Sequence, residues 1–268
     1  MIEKTEAIVL RSYPFSETSE VVSWLTPKHG RILTLIKGAK RRKSAFLGQY
    51  DLFYTCELVF YLRDPSSVHI ARECGPLDSR PALRKNWRAA ACASAVCFMS
   101  GKAAVTGHSE QEIYDLTKAC LDSLARGGPS VPLLFWQELQ VARLLGVTPN
   151  FQTCVACGIH PSTQDPAYFS THRGGLICTV CGPRANQNLD ELAPAYRAAA
   201  LRLQSVCRPD SLRTIIFSAE QVLALRHILG KFIGFHTGIS TECRNMVVSL
   251  LDLYSTPARA GTHYEGEN

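Results

Sequence analysis

The sequence lacks any run long enough to cross a bilayer. Its most apolar stretch, Ala89 to Met99, lies between Arg88 and Lys102 and falls short of the ~20 residues that a spanning helix needs. A secretory leader is also missing, because Glu3, Lys4 and Glu6 precede any apolar run. These two absences predict a cytoplasmic protein. Signatures of catalysis are equally scarce. Gly38-Ala39-Lys40 is too short for a phosphate loop, and no H-E-x-x-H, G-x-S-x-G or G-x-G-x-x-G occurs. His108-Ser109-Glu110 fits half of a zinc-deaminase pattern, but Thr153 and Ile177 stand where proline should precede each cysteine pair. No repeat of fixed period and no long low-complexity segment is present. A binding protein is therefore favoured over a catalyst, with an enzyme on an unrecognised site as the competing class.

What remains is a chain of 268 residues, 46% hydrophobic and 19% charged, with a formal net charge of +6. That composition excludes a wholly disordered chain, and the length allows one large domain or two smaller ones. The first part reads as strands: Thr5–Tyr13, Glu20–Leu25, Arg31–Ile36, Asp51–Leu62 and Val68–Ala71. The third, with apolar residues on both faces, predicts a strand buried on both sides. Five short strands without room for crossover helices predict an OB-type barrel over residues 1–80, an SH3-like barrel being the alternative.

From Pro81 the apolar period changes to that of helices, covering about 82–104, 132–145, 191–207, 219–234 and 242–254. Ser109-Glu110-Gln111-Glu112 and Ser218-Ala219-Glu220-Gln221 read as capping boxes, and Gly127-Gly128-Pro129 as a helix stop. The fold class is thus α+β: the barrel, then an all-helical domain over 81–255 with an inserted cysteine region at 150–185, and a disordered tail at 256–268.

That insert contains Cys154-Val155-Ala156-Cys157-Gly158 and Cys178-Thr179-Val180-Cys181-Gly182. Two such knuckles at this separation are the spacing of a four-thiolate zinc site, since each tight turn presents two sulfurs to one tetrahedral ion. The glycine after each pair permits backbone conformations that aim amides at the sulfurs. Four thiolates close the coordination sphere, so the metal is predicted to be structural, one Zn2+, with iron, a disulfide pair or unmetallated thiols as the alternatives. His160 and His172 lie inside the loop as possible substitutes. Cys56, Cys74, Cys92, Cys97, Cys120, Cys207 and Cys243 sit mostly in apolar patterns and read as small core residues.

Between Val21 and Tyr50 there is no acidic side chain, yet Lys28, Arg31, Lys37, Lys40, Arg41, Arg42 and Lys43 all fall there. Seven like charges repel one another, and an anionic partner relieves them; phosphate backbone is the natural candidate. Tyr13, Phe15, Phe46, Tyr50 and Tyr54 are close in sequence and available in principle for base stacking. A solvated basic loop and core aromatics are the plainer alternative.

The order of basic barrel, helical body and cysteine knuckles resembles the bacterial RecO family of recombination mediators. The resemblance is carried by Glu6-Ala7-Ile8-Val9-Leu10-Arg11, Glu17-Thr18-Ser19, Leu25-Thr26-Pro27-Lys28-His29-Gly30, Lys37-Gly38-Ala39-Lys40-Arg41 with Lys43-Ser44, and Glu138 with Leu144-Leu145-Gly146 leading through Pro149 to the first knuckle. It implies an OB-fold, a helical domain and a zinc region. It also implies binding of single- and double-stranded DNA, strand annealing, and work with RecR in loading RecA onto strands covered by single-stranded DNA-binding protein. Some members lack the cysteines, so the resemblance makes the metal a scaffold. It assigns the DNA role to Lys37, Lys40, Arg41 and Lys43; Lys28, Arg31 and Arg42 are added on charge alone. Contact with the acidic tail of the single-stranded DNA-binding protein calls for an apolar groove with a basic rim. Arg143, Arg197, Arg202 and Arg226 lie on helical patterns that could supply one, ordinary surface charge being the plainer reading of each. A zinc-ribbon accessory factor of transcription or translation is the third reading.

Overall fold

A computed structural model describes residues 1–64, 67–185 and 188–253; the tail expected to be disordered lies outside them. Five strands, β1 (Ile2–Pro14), β2 (Glu20–Thr26), β3 (Gly30–Ile36), β4 (Thr55–Tyr61) and β5 (His69–Asp78), close into a barrel in the order β1-β2-β3-β5-β4. All pairs are antiparallel except the short parallel contact of β3 with β5 at Thr34–His69 and Leu35–Ile70. This is the OB-type barrel. Its interior is filled by Trp24, Ile32, Ile36, Leu58 and Phe60. The Trp24 indole N–H donates to Thr34 Oγ1 at 2.8 Å, which satisfies the one polar atom of the largest core side chain.

The strands buried on both faces are β1 and β2, not β3. Ala7 and Val9 point into the barrel, whereas Ile8 and Leu10 join the core of the helical part together with Leu25 and Phe53. In β3 only alternate residues are buried, and Leu33 stays 38% exposed. Apolar character alone cannot say which strand a second layer covers; here the helices pack on β1.

The helical part comprises α1 (Pro81–Lys85), α2 (Trp87–Ala103), α3 (Gln111–Gly127), α4 (Val131–Leu144), α5 (Pro194–Gln204), α6 (Ala219–Thr237) and α7 (Glu242–Leu253). The expected 82–104 helix breaks at Asn86, whose Oδ1 accepts the N–H groups of Arg88 and Ala89 and so starts α2 afresh. The 191–207 helix is shortened at its start because Asp190–Leu192 forms a strand.

The Ser218 capping box forms, with Ser218 Oγ accepting from Gln221 N–H and Gln221 Oε1 accepting from Ser218 N–H. The Ser109 box does not. Ser109 Oγ donates to Pro27 O, and Glu110 Oε1 accepts from Val105 N–H. The β2–β3 turn docks on this loop and takes its polar groups for tertiary contacts. Gly30, at φ 60°, is required there: a Cβ would stand 1.9 Å from Val105 O.

A polar link between barrel and helices is Arg80. Its side chain is almost fully buried, with Nε 2.7 Å from Asp122 of α3 and Nη1 donating to Phe53 O and Thr55 Oγ1. A second buried pair, Glu138 of α4 with Arg244 of α7, is bidentate at 2.8 and 3.1 Å. Burial raises the Glu138 carboxyl against the pull of the Arg244 guanidinium.

Candidate nucleic-acid interface and metal centre

After β3 the chain does not leave the barrel at once. Gly38 adopts φ 67° and its N–H donates to Ser19 Oγ, Ala39 is buried in the barrel core, and Lys40 N–H donates to Thr18 O at 3.0 Å. The loop is thereby pinned against the tip of the β1–β2 hairpin. Successive turns follow, Arg41 N–H to Gly38 O and Ser44 N–H to Arg41 O. They leave Lys37, Lys40, Arg41, Arg42 and Lys43 exposed on one compact loop. Lys40 Nζ sits 3.8 Å from Glu20 Oε1. Lys37, Arg41, Arg42 and Lys43 have no ion pair among the described residues. Four cations without an ion pair on one loop concentrate positive potential there, the field that attracts an anion.

The other two basic residues stand apart. Lys28 lies in the β2–β3 turn, at the far end of β3 from the loop, where His29 O accepts from Gly107 N–H. Arg31 is near that end and exposed. The structure thus gathers five of the seven cations.

Of the neighbouring aromatics, Tyr13 and Phe15 are 43% and 65% exposed and free to stack on a ligand. Tyr54 is not: its ring is buried and its hydroxyl meets Arg84. Phe46 and Tyr50 pack on the barrel core. Tyr50 OH donates to Glu20 Oε2 at 2.7 Å, and burial followed by Glu20 pushes the phenol up. Strand periodicity cannot separate such core rings from open ones.

The cysteine region follows α4. Asn150 Oδ1 accepts the N–H groups of Gln152 and Thr153, turning the chain into the first knuckle. Gly158, at φ 76°, donates to Cys154 O. Strand β6 (Ala167–Ser170) pairs with β7 (Gly175–Cys178), which ends on Cys178, and with β8 (Asp190–Leu192) on its other edge. The second glycine serves a different purpose from the first. A Cβ on Gly182 would lie 2.5 Å from the Tyr168 ring, so this residue permits close packing rather than an unusual φ.

The sulfurs of Cys154, Cys157, Cys178 and Cys181 lie within 4.8 Å of one another. A Zn–S bond of ~2.3 Å at the tetrahedral angle sets neighbouring sulfurs about 3.8 Å apart, and Cys157 Sγ to Cys178 Sγ is 3.8 Å. Burial raises the Cys154 thiol, but N–H groups of Cys178, Ala156 and Cys157 outweigh it and bring the group down to about 6. Its neighbours Cys157 and Cys178 hold Cys181 up at about 12. The four residues fit a divalent ion bound by thiolates. His172 belongs to the turn at the other end of the β6–β7 hairpin, against Phe235, and His160 is outside the sulfur cluster.

Behind the knuckles, Phe151 stacks on Phe169 at 5.1 Å, and Arg197 reaches out of α5 to bind the carbonyls of Phe151, Gln152, Pro161 and Ser162. Arg197 is 2% exposed, which removes it from any surface rim. Its role was invisible in sequence, because nothing local marks an arginine that will cap loop carbonyls. Of the remaining cysteines, Cys56, Cys92, Cys97 and Cys120 are buried, Cys74 and Cys243 are half-buried, and Cys207 is exposed.

Two family models match, and between them they span most of the chain: "Recombination protein O N terminal" over residues 1–80 and "Recombination protein O C terminal" over residues 84–242. The chain belongs to the RecO family. Similar relatives include the DNA repair protein RecO of Desulforudis audaxviator, 32% identical over 68% of this chain and 71% of that one. That of Anaeromyxobacter sp. strain K is 30% identical over 75% and 78%. A third, from Exiguobacterium sp. strain AT1b, is 24% identical over 95% of this chain and 98% of its own. The RecO N-terminal match contains the closed barrel and its basic loop, and the C-terminal match contains all four cysteines. No helix among the described residues is long and apolar enough to cross a membrane.

Proposed function

We propose that this RecO-family chain is a DNA repair protein that binds single- and double-stranded DNA, anneals complementary strands and mediates recombination. On this reading it works with RecR to load RecA onto strands coated by single-stranded DNA-binding protein, whose acidic tail it contacts. It acts in the cytoplasm at the nucleoid. The observation that carries the reading is the loop of four unpaired cations, Lys37, Arg41, Arg42 and Lys43, held on an OB-type barrel beside exposed Phe15. Lys40 belongs to the same surface, whereas Lys28 and Arg31, assigned to DNA on charge alone, stand at the other end of β3.

Annealing needs two polyanions brought close. A cationic surface lowers their repulsion and releases counterions, so no bond chemistry is called for. The ion at the cysteines is zinc in a structural role, because four thiolates leave no coordination position for a substrate.

The deciding experiment is annealing of complementary oligonucleotides without nucleotide, bare and coated with single-stranded DNA-binding protein. Acceleration in both arms is the expected result. Failure to bind or anneal DNA in dilute buffer overturns the proposal, and sequence-selective RNA or promoter binding would favour an accessory factor instead. Elemental analysis should return one zinc per chain; iron in its place would correct the metal.

A further inference from the structure

A second basic feature lies on the barrel, away from the loop. Strand alternation alone would put Arg11 on the side of Ala7 and Val9, inside the barrel. The register shifts between Val9, opposite Trp24, and Arg11, opposite Ser23. This bulge inserts one residue, and Arg11 and Tyr13 emerge beside Leu10 over a groove between the barrel and α2. Gly101 lets α2 come close, since a Cβ there would already stand 3.0 Å from Leu10 Cδ1. The groove has a volume of about 450 Å³, within the range of small-ligand sites.

Its chemistry is specific. Arg11 and Arg31 come from the barrel, Lys102 from α2, and no carboxylate lines the groove. None of the three cations has an ion pair among the described residues. Two rings accompany them: the Arg11 guanidinium lies 5.5 Å from the Tyr13 ring centre and Lys102 Nζ 5.8 Å from that of Phe98. Cations with aromatic faces are what successive nucleotides need, phosphate on one and base on the other. A duplex keeps its bases stacked and paired, so it has none to offer to the rings.

We propose that this groove holds one or two unpaired nucleotides of a DNA single strand, with bases against Tyr13 or Phe98 and phosphates at Arg11, Arg31 and Lys102. The proposal rests on the DNA-binding reading above and sharpens it: the loop attracts any DNA, and the groove selects the unpaired strand. The two lie on one hairpin, since β1 runs from Arg11 and Tyr13 to the tip on which Lys40 and Gly38 are bonded. Five residues of strand cover about 17 Å, a few nucleotides of path.

The test compares binding of an oligo-dT single strand and of a blunt duplex by the full chain. In Arg11→Ala/Tyr13→Ala/Lys102→Ala, single-strand affinity should fall about tenfold or more while duplex affinity stays within about twofold. Ser94→Trp fills the same groove without removing a charge, at an exposed position of α2, and should act in the same direction. Equal losses on strand and duplex, or no loss in either variant, would overturn the groove assignment while leaving the DNA-binding reading intact. If the parent binds neither DNA, both fail, and duplex binding by the parent separates the two cases.

Discussion

Removal of three loop cations, Arg41→Ala/Arg42→Ala/Lys43→Ala, gives the most direct check on how this molecule holds DNA. All three are exposed and unpaired among the described residues, so their substitution should leave the barrel core untouched. Lys40 is kept because Glu20, 3.8 Å away, already offsets part of its charge. On a single strand each neutralised phosphate contributes about −0.7 to the slope of log K against log salt, so three losses flatten it by about 2.1. Between ~50 and ~200 mM salt, a fourfold change, the variant should lose about 18-fold less affinity than the parent. The difference is independent of other contacts, which contribute equally to both proteins. Fluorescence anisotropy with a labelled oligonucleotide over that salt range reads it directly. Equal slopes would refute the reasoning and take these residues out of the interface.

Three further outcomes can be stated. Chelation should lower the thermal midpoint and loosen the helical part, because Cys154 and Cys178 are buried beside the Phe151–Phe169 stack; an unchanged midpoint after verified metal removal refutes a structural role. Arg80→Ala strands the Phe53 carbonyl and the Asp122 carboxylate and should cost about 3 kcal/mol in urea unfolding; a loss under about 1 kcal/mol would deny it the part of a latch. Asp190 is raised by burial, but Lys231 at 2.6 Å and His227 at 2.9 Å outweigh this and hold its carboxyl below the ordinary 3.8. A depressed acid stabilises the fold above the unfolded value and loses that contribution as pH falls through the folded one. The stability gap between parent and Asp190→Asn should therefore be full near pH ~6 and narrow steadily below pH ~4; a gap that does not depend on pH refutes the pairing.

Much of the fold is legible in the sequence, and the features that are not share a physical cause. The five strands, the helical periodicity and the cysteine spacing are local patterns, and local rules recover them. Ser218 caps its helix because its partners, Glu220 and Gln221, lie in the same turn, whereas Ser109 is claimed by the Pro27 carbonyl from a turn far away in sequence. Likewise β1 and β3 look equally apolar, and only the position of the helices decides which is covered twice. Arg197 and Tyr54 belong to the same class. An arginine that binds four loop carbonyls and a tyrosine tied to Arg84 look like surface residues until the chain around them is placed. The clustering of the loop cations was legible, but the separation of Lys28 by the length of β3 was not.

The double burial of β1 also bears on mechanics. Because Ile8 and Leu10 are embedded in one core while Ala7 and Val9 occupy another, the barrel is not a bead on a tether. A force applied at the β1–β2 hairpin passes through a shared strand into the helical frame.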